Sequence, residues 1–196
     1  TLFKILVLAL LAFFSLGPML YTFLNSFSCG ASYGLFPECW SIQGWKEVLW
    51  NRPHYLAKFW NSIGLAVTIV LGQIFLSCLA GYGFSRFCFP GKQVLFFLVI
   101  LLMMMPYQVT LVSNYLMLDK LGLVGSQWAL ILPGMFSPFG VFLLRQVFDT
   151  CPSDILEAAQ LDGAGTLRIL LGILIPRCRA GVISLVILSF IDAWNM

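Results

Sequence analysis

"FWNSIGLAVTIVLGQIFLSCLAGYGFS", residues 59 to 85, contains no Asp, Glu, Lys or Arg. A membrane helix needs ~20 consecutive, mainly apolar residues to cross the hydrocarbon core, and this run supplies them. Three further stretches are equally free of charge: Ile5 to Pro37, Gln93 to Leu118 and Leu121 to Leu144. A fifth apolar run starts near Ala180 and is still running at Met196. The whole chain is 60% hydrophobic and 10% charged, with a mean hydropathy of +0.94. A soluble domain carries roughly 25% charged residues. The expected fold is therefore all-α, a polytopic bundle of membrane helices. Because the chain opens on Thr1 and stops inside an apolar run, it reads as a fragment cut at the front and within its fifth span.

The spans are expected at about Ile5 to Leu24, Phe59 to Phe84, Val94 to Val112, Trp128 to Leu144 and from Ala180 onward. Pro106 falls inside the third, and Pro133 and Pro138 inside the fourth. Prolines within spans are tolerated where neighbours or water satisfy the freed carbonyls, so they point to a bundle with an interior. Two regions follow: residues 1–58, a first transmembrane helix with an extracytoplasmic loop, and residues 59–196, the transmembrane domain proper. Lys4 before an apolar stretch also resembles the opening of a secretory signal. The stretch is too long for a signal's apolar core, however, and no clean small-x-small cleavage site follows.

Lysine and arginine placement sets the orientation. With the N-terminus in the cytoplasm, the inner segments hold Lys4, Arg86, Lys92, Arg145, Arg168, Arg177 and Arg179, and the outer loops hold Lys46, Arg52, Lys58 and Lys120. Seven against four favours N-in. The formal charge of +3 comes from loops and forms no stripe for nucleic acid. Trp40, Trp45, Trp50 and Trp60 near span ends suit the membrane interface. The six cysteines have no metal-ligand spacing. In an extracytoplasmic loop Cys29 and Cys39 are either bridged or two free thiols. No GxxxxGK[ST] pattern for nucleotide phosphates is present, and nothing resembles a nucleophile, base and orienter set. His54 reads as a loop surface residue. No catalytic residue, metal ligand or cofactor site is assigned to this chain.

The stretch "EAAQLDGAGTLRILLGILIP", residues 157 to 176, interrupts the apolar pattern. Pro152 ends the incoming segment, Ser153 is placed as an N-cap with Asp154 in the first turn, and Gly163 is placed to stop the helix through a left-handed residue. Gly165 and Thr166 open a second helix that Pro176 should close before the fifth span. A first helix of about nine residues is too short to be stable alone in water, so it needs a docking partner. Ala158 and Ala159 allow close approach of a surface, while Glu157 and Asp162 offer carboxylates to a basic group. These residues alone also suit a solvated amphipathic loop helix.

The pattern Glu157-Ala158-Ala159, three residues, Gly163, nine residues, Ile173-x-Ile175-Pro176 resembles the EAA motif of the permease subunits of bacterial ATP-binding-cassette importers. It departs only at Ile175, where leucine is commoner. Five fixed positions at ordinary usages give a chance match of about one in a million per starting point. "NSIGLAVTIV" (61–70), "AGYGFSRFCFPGK" (80–92), "MMPYQVTLVSNYLMLDKLGLVGSQWALILP" (104–133), "FGVFLLRQVFDTCPSDILEAAQLDGA" (139–164) and the closing Trp194-Asn195 are similar to the sugar-importer branch that includes the maltose-system G-type permease. The resemblance covers nearly the whole chain and is weakest over residues 1–58.

This resemblance implies a type I importer fold with a cytoplasmic coupling-helix loop, and six spans in all. It implies a permease in the bacterial inner membrane that forms the path for a carbohydrate. Glycerol phosphate, a polyamine or another small solute is the alternative cargo, and a membrane enzyme or passive channel is a remoter one. The partners implied are a second permease in a heterodimer, a cytoplasmic ATPase dimer holding ATP and Mg, an extracytoplasmic solute-binding protein and membrane lipid, with no nucleic acid. By position, Glu157, Ala158, Ala159 and Gly163 become the coupling residues, with Asp154 and Asp162 at the rim. Asp192 lies about 18 Å along its helix from Ala180, near mid-membrane. With Trp194 and Asn195 it is expected to line the path or a subunit contact, or else to make a polar contact within the bundle. Asn61, Gln73, Gln108 and Asn114 are further polar positions within reach of a sugar, but in importers of this type the other permease is expected to hold most of the substrate, so none of them is assigned to it.

Overall fold

The computed structural model describes residues 2–29 and 39–196, so residues 30–38 of the first loop lie outside the described residues. Packing divides the chain into two units, residues 1–61 and residues 62–196. In the first, α1 (Leu2–Asn25) is apolar along its length, and its described residues are almost all exposed within the unit. After it, Cys29 and Cys39 are joined in a disulfide, and the backbone pairs beside it, with Ser41 N–H donating to Phe27 O at 2.7 Å. The short α2 (Gln43–Lys46) widens into a π turn at Glu47–Asn51.

The second unit is built on α3 (Pro53–Arg86), whose buried residues include Ala66, Ile69, Val70, Gln73, Ser77, Cys78, Gly81 and Tyr82. They recur every three or four positions, which puts them on one helix face. Several are small, as expected where membrane helices gain contact by close backbone approach. At Gly81 the approach is tight: a β-carbon there would lie 3.0 Å from Leu144 Cβ and 3.1 Å from Arg145 N. There follow α4 (Lys92–Met104), α5 (Tyr107–Lys120), α6 (Trp128–Gly134), α7 (Pro138–Asp149), α8 (Ser153–Leu161), α9 (Thr166–Ile169), α10 (Ile175–Arg177) and α11 (Arg179–Trp194).

The expected third span is not one straight helix. Met105 and Pro106 are extended, and the axes of α4 and α5 differ by 105°. The cause is local: a residue before proline is pushed out of helical geometry, and proline cannot donate to the preceding turn. The fourth span breaks too, at Pro138, but its axis carries on, and Trp128–Asp149 remains long and apolar enough to cross a membrane as one piece. Pro138 leaves the Gly134 carbonyl without its usual donor, and Gln73 Nε2, buried on α3, donates to it at 2.7 Å. Gln73 therefore supplies the donor that Pro138 lacks. At Ser137 the side-chain oxygen accepts from Gly140 N–H at 3.0 Å and caps α7.

Among the described residues three helices qualify as spans, and five if each bent pair counts as one. The core sits at one end of this unit. Tyr82 of α3, Leu144 and Phe148 of α7, Leu156 of α8, Ile169, Leu170 and Leu174 after α8, and Leu185 of α11 form one buried cluster.

Candidate docking site on helix α8

Helix α8 is a short amphipathic segment held from beneath. Its nine residues follow Pro152, which is itself the cap residue, so Ser153 is the first helical residue and not the expected N-cap. Its hydroxyl meets Asp154 Oδ1 at 3.4 Å instead. Asp154 still lies in the first turn, where a carboxylate is favoured by the helix dipole. The C-terminal stop is the expected one. Gly163 has φ +78°, its N–H donates to Gln160 O at 2.9 Å, and Ala164 N–H reaches back to Ala159 O at 2.9 Å. This double closure requires a residue at positive φ, which glycine adopts without a side-chain clash.

Leu156 is buried, and Ala159 and Ala164 pack against the same core. The other side of α8 is open: Asp154, Glu157, Ala158 and Asp162 are exposed, as is Gly163. The structure thus brings the expected loop residues onto one element, with Ala159 turned inward. The ion pairs of the described residues involve none of Asp154, Glu157 and Asp162. Leu161 is 90% exposed, more than any other large apolar side chain described. Its position was unremarked in the sequence, because a leucine at the end of an amphipathic helix looks like core until the packing is known.

A clamp behind α8 was also not legible. Arg86, at the end of α3, donates from Nη2 to Phe148 O at 2.5 Å and to Cys151 O at 2.6 Å. Ser85 Oγ donates to Asp149 Oδ1 at 2.6 Å, and Arg145 Nε lies 3.6 Å from Asp149 Oδ2. The end of α3 is thereby tied to the last turn of α7 and to the residue before Pro152. Charge-assisted bonds of this kind are roughly twice as strong as neutral ones. No sequence signal marks them, since Arg86 binds backbone carbonyls 62 and 65 positions away.

Beyond Gly165 the chain corrects another expectation. Pro176 does not close the second helix: the segment passes through a π turn at Leu170–Leu174, continues to Arg177, and breaks only at Cys178. A π turn just before a proline accommodates the missing N–H by shifting the hydrogen-bond register. The axes before and after Cys178 then differ by 84°.

Asp192, Trp194 and Asn195 fall at the far end of α11, about 20 Å along its axis from Cys178, and are not brought to α8. All three are exposed; Asn195 Nδ2 donates to Ile191 O at 2.7 Å, and Trp194 stacks on Phe190 with ring centroids 5.8 Å apart. No group of His, Cys, Asp and Glu able to hold a metal ion occurs among the described residues.

Comparison with known proteins agrees with this architecture. The chain is 35% identical over 145 residues to the sn-glycerol-3-phosphate transport system permease protein UgpE of Yersinia enterocolitica, covering 74% of this chain and 52% of that one. It is 28% identical over 189 residues to the protein of the same name from Brucella abortus, covering 91% and 67% respectively. The chain spans about half the length of the Yersinia relatives it matches. Its fold superposes with a TM-score of 0.88 on a crystal structure of a bacterial ABC transporter involved in the import of the acidic polysaccharide alginate, at 23% identity, over 99% of this chain and 70% of that one. Residues 73–196, which include α8, its clamp and the buried cluster, match the family described as the binding-protein-dependent transport system inner membrane component, and the chain belongs to that family.

Proposed function

We propose that this chain is the permease subunit of an ATP-driven importer and that α8 is its docking element for a separate ATPase. The observation that carries the reading is the contrast between the two sides of α8. One side is fixed by Leu156 and the Arg86 clamp, and the other presents Glu157, Asp162 and Leu161 with no cation of the described residues paired to the two acids. A helix anchored in this way transmits a push to α3 and α7 without unfolding. Glu157, Ala158 and Gly163 face the partner, Asp154 and Asp162 lie at its rim, and Ala159 seats the helix on its own core. The chain itself performs no catalysis; ATP and Mg belong to the ATPase dimer.

The cargo class is a carbohydrate, delivered by an extracytoplasmic binding protein to a path shared with a second permease. Glycerol phosphate is the second reading, favoured by the names of the Yersinia and Brucella relatives. Asp192, Trp194 and Asn195 are assigned to the path or to the contact with the second permease. Orientation in the inner membrane is N-terminus inside, supported by the lysine and arginine count and by the Cys29–Cys39 disulfide, which suits an extracytoplasmic loop. Cys88, free and exposed on the turn after α3, reports on it. In sealed cells an impermeant maleimide should label Cys88 only after permeabilisation, and labelling of intact cells would reverse the topology.

The test of the main reading is photo-crosslinking from position 157 of the full-length protein in native membranes. Capture of a soluble ATPase subunit, lost in Gly163→Val, is expected. Capture of lipid or of this chain alone, with the ATPase present, would sink the proposal. Uptake of labelled sugars and of glycerol phosphate by the full-length system then separates the two cargo readings.

A further inference from the structure

A cavity of about 490 Å³ opens where the start of α4 meets α7, lined by Lys92, Gln93, Phe96, Phe97, Ile100 and Arg145. It lies at the end of the unit that carries α8, where α4 begins its apolar run. The guanidinium of Arg145 sits 3.6 Å from the centre of the Phe96 ring. Lys92 precedes Phe96 by four positions on the same side of the helix, so both cations line the one cavity.

Their charge is poorly compensated. Asp149 is the carboxylate at hand, but it stands 3.6 Å from Arg145 Nε and also accepts from Ser85. Arg145 Nε is closed off from solvent and has no hydrogen-bond partner among the described residues. Lys92 Nζ donates to one backbone carbonyl, that of Phe87, at 3.0 Å. The two cations of the lining against the one carboxylate of Asp149 leave a local surplus of one positive charge at a membrane boundary. The positive end of the α4 dipole adds to the same field.

We infer that this cavity holds the headgroup of an anionic phospholipid. The phosphate meets Lys92 and Arg145, and the acyl chain follows the wall formed by Phe97 and Ile100 along α4. The apolar wall decides between sources of phosphate: a soluble anion would leave Phe96, Phe97 and Ile100 facing water, whereas a lipid covers them. A zwitterionic headgroup fits less well, because its own cation would be brought toward Arg145. This assignment rests on the membrane location of α4 and not on the role given to α8.

The decisive experiment is native mass spectrometry of the full-length protein, with its partner subunits, taken from mixed phosphatidylglycerol and phosphatidylcholine. Selective retention of phosphatidylglycerol is expected, falling on the order of tenfold or more in the double variant Lys92→Gln, Arg145→Gln, with the conservative Lys92→Arg retaining it. Equal retention by the double variant would overturn the inference. So would displacement of the lipid by millimolar inorganic phosphate, which would mark a soluble-anion site. A photoreactive residue at position 93 in an otherwise unaltered chain gives a readout that does not depend on the variants folding. Capture of phosphatidylglycerol supports the inference, and capture of protein, or of both lipids equally, refutes it.

Discussion

Helices α5 and α8 have the same local grammar and different fates. Each follows a proline held in the extended region, Pro106 at φ −62°, ψ 133° and Pro152 at φ −57°, ψ 136°. Each stops at a glycine of positive φ, Gly122 at +66° and Gly163 at +78°. In each the residue after that glycine donates five positions back, Leu123 to Leu118 at 3.0 Å and Ala164 to Ala159 at 2.9 Å. Yet no described side chain of the longer α5 is buried, while the nine-residue α8 sinks Leu156 into the core and is tied from behind by Arg86. Local signals start and stop a helix; what it packs against decides whether it is held in place.

Substitutions can break this contrast. The largest effect is expected from Leu156→Ala, which should cost about 2–5 kcal/mol of thermal stability, as a buried leucine does when a cavity is left behind. Arg86→Leu comes next. It strands the carbonyl of Cys151, at about 1–3 kcal/mol for a buried polar group left unpaired, and takes the charged donor from that of Phe148, which keeps the 3.2 Å bond from Cys151 N–H; the loss is partly recovered in Arg86→Lys. Its signature should be protease cleavage near residues 150–153 before global unfolding, and uniform protection would show that the clamp does not hold α8. At the small end stands Leu116→Ala on α5, whose side chain is 55% exposed. It should shift stability by no more than about 0.5 kcal/mol. A larger loss, measured in the isolated full-length chain, would mean that α5 is packed after all and the comparison fails.

Much of the molecule was readable in advance. The apolar runs are visible because a hydrocarbon core imposes a minimum length on any span. Gly163 is visible because a left-handed stop needs a particular residue, and the Glu157-Ala158-Ala159 loop because its pattern has fixed spacing. Polar side chains inside the bundle were harder. Gln73 serves the carbonyl freed by Pro138 across 61 positions of chain, a pairing no local pattern marks. The prolines behave differently from one another. Pro106 turns the chain sharply, Pro138 is absorbed with help from Gln73, and Pro176 is passed through a π turn.

Sequence by itself determined the membrane class, the number and rough position of the apolar segments, and the glycine stop of α8. These depend on composition, run length and residue-specific backbone geometry, all of which act within a few turns of chain. Only the tertiary structure decided which face of α8 is free, that Arg86, Ser85 and Asp149 tie the end of α3 to α7 and to the turn before α8, and that Arg145 covers the Phe96 ring. Those facts depend on hydrogen bonds and ring contacts between residues some fifty to sixty-five positions apart, whose meeting is set by how whole helices pack.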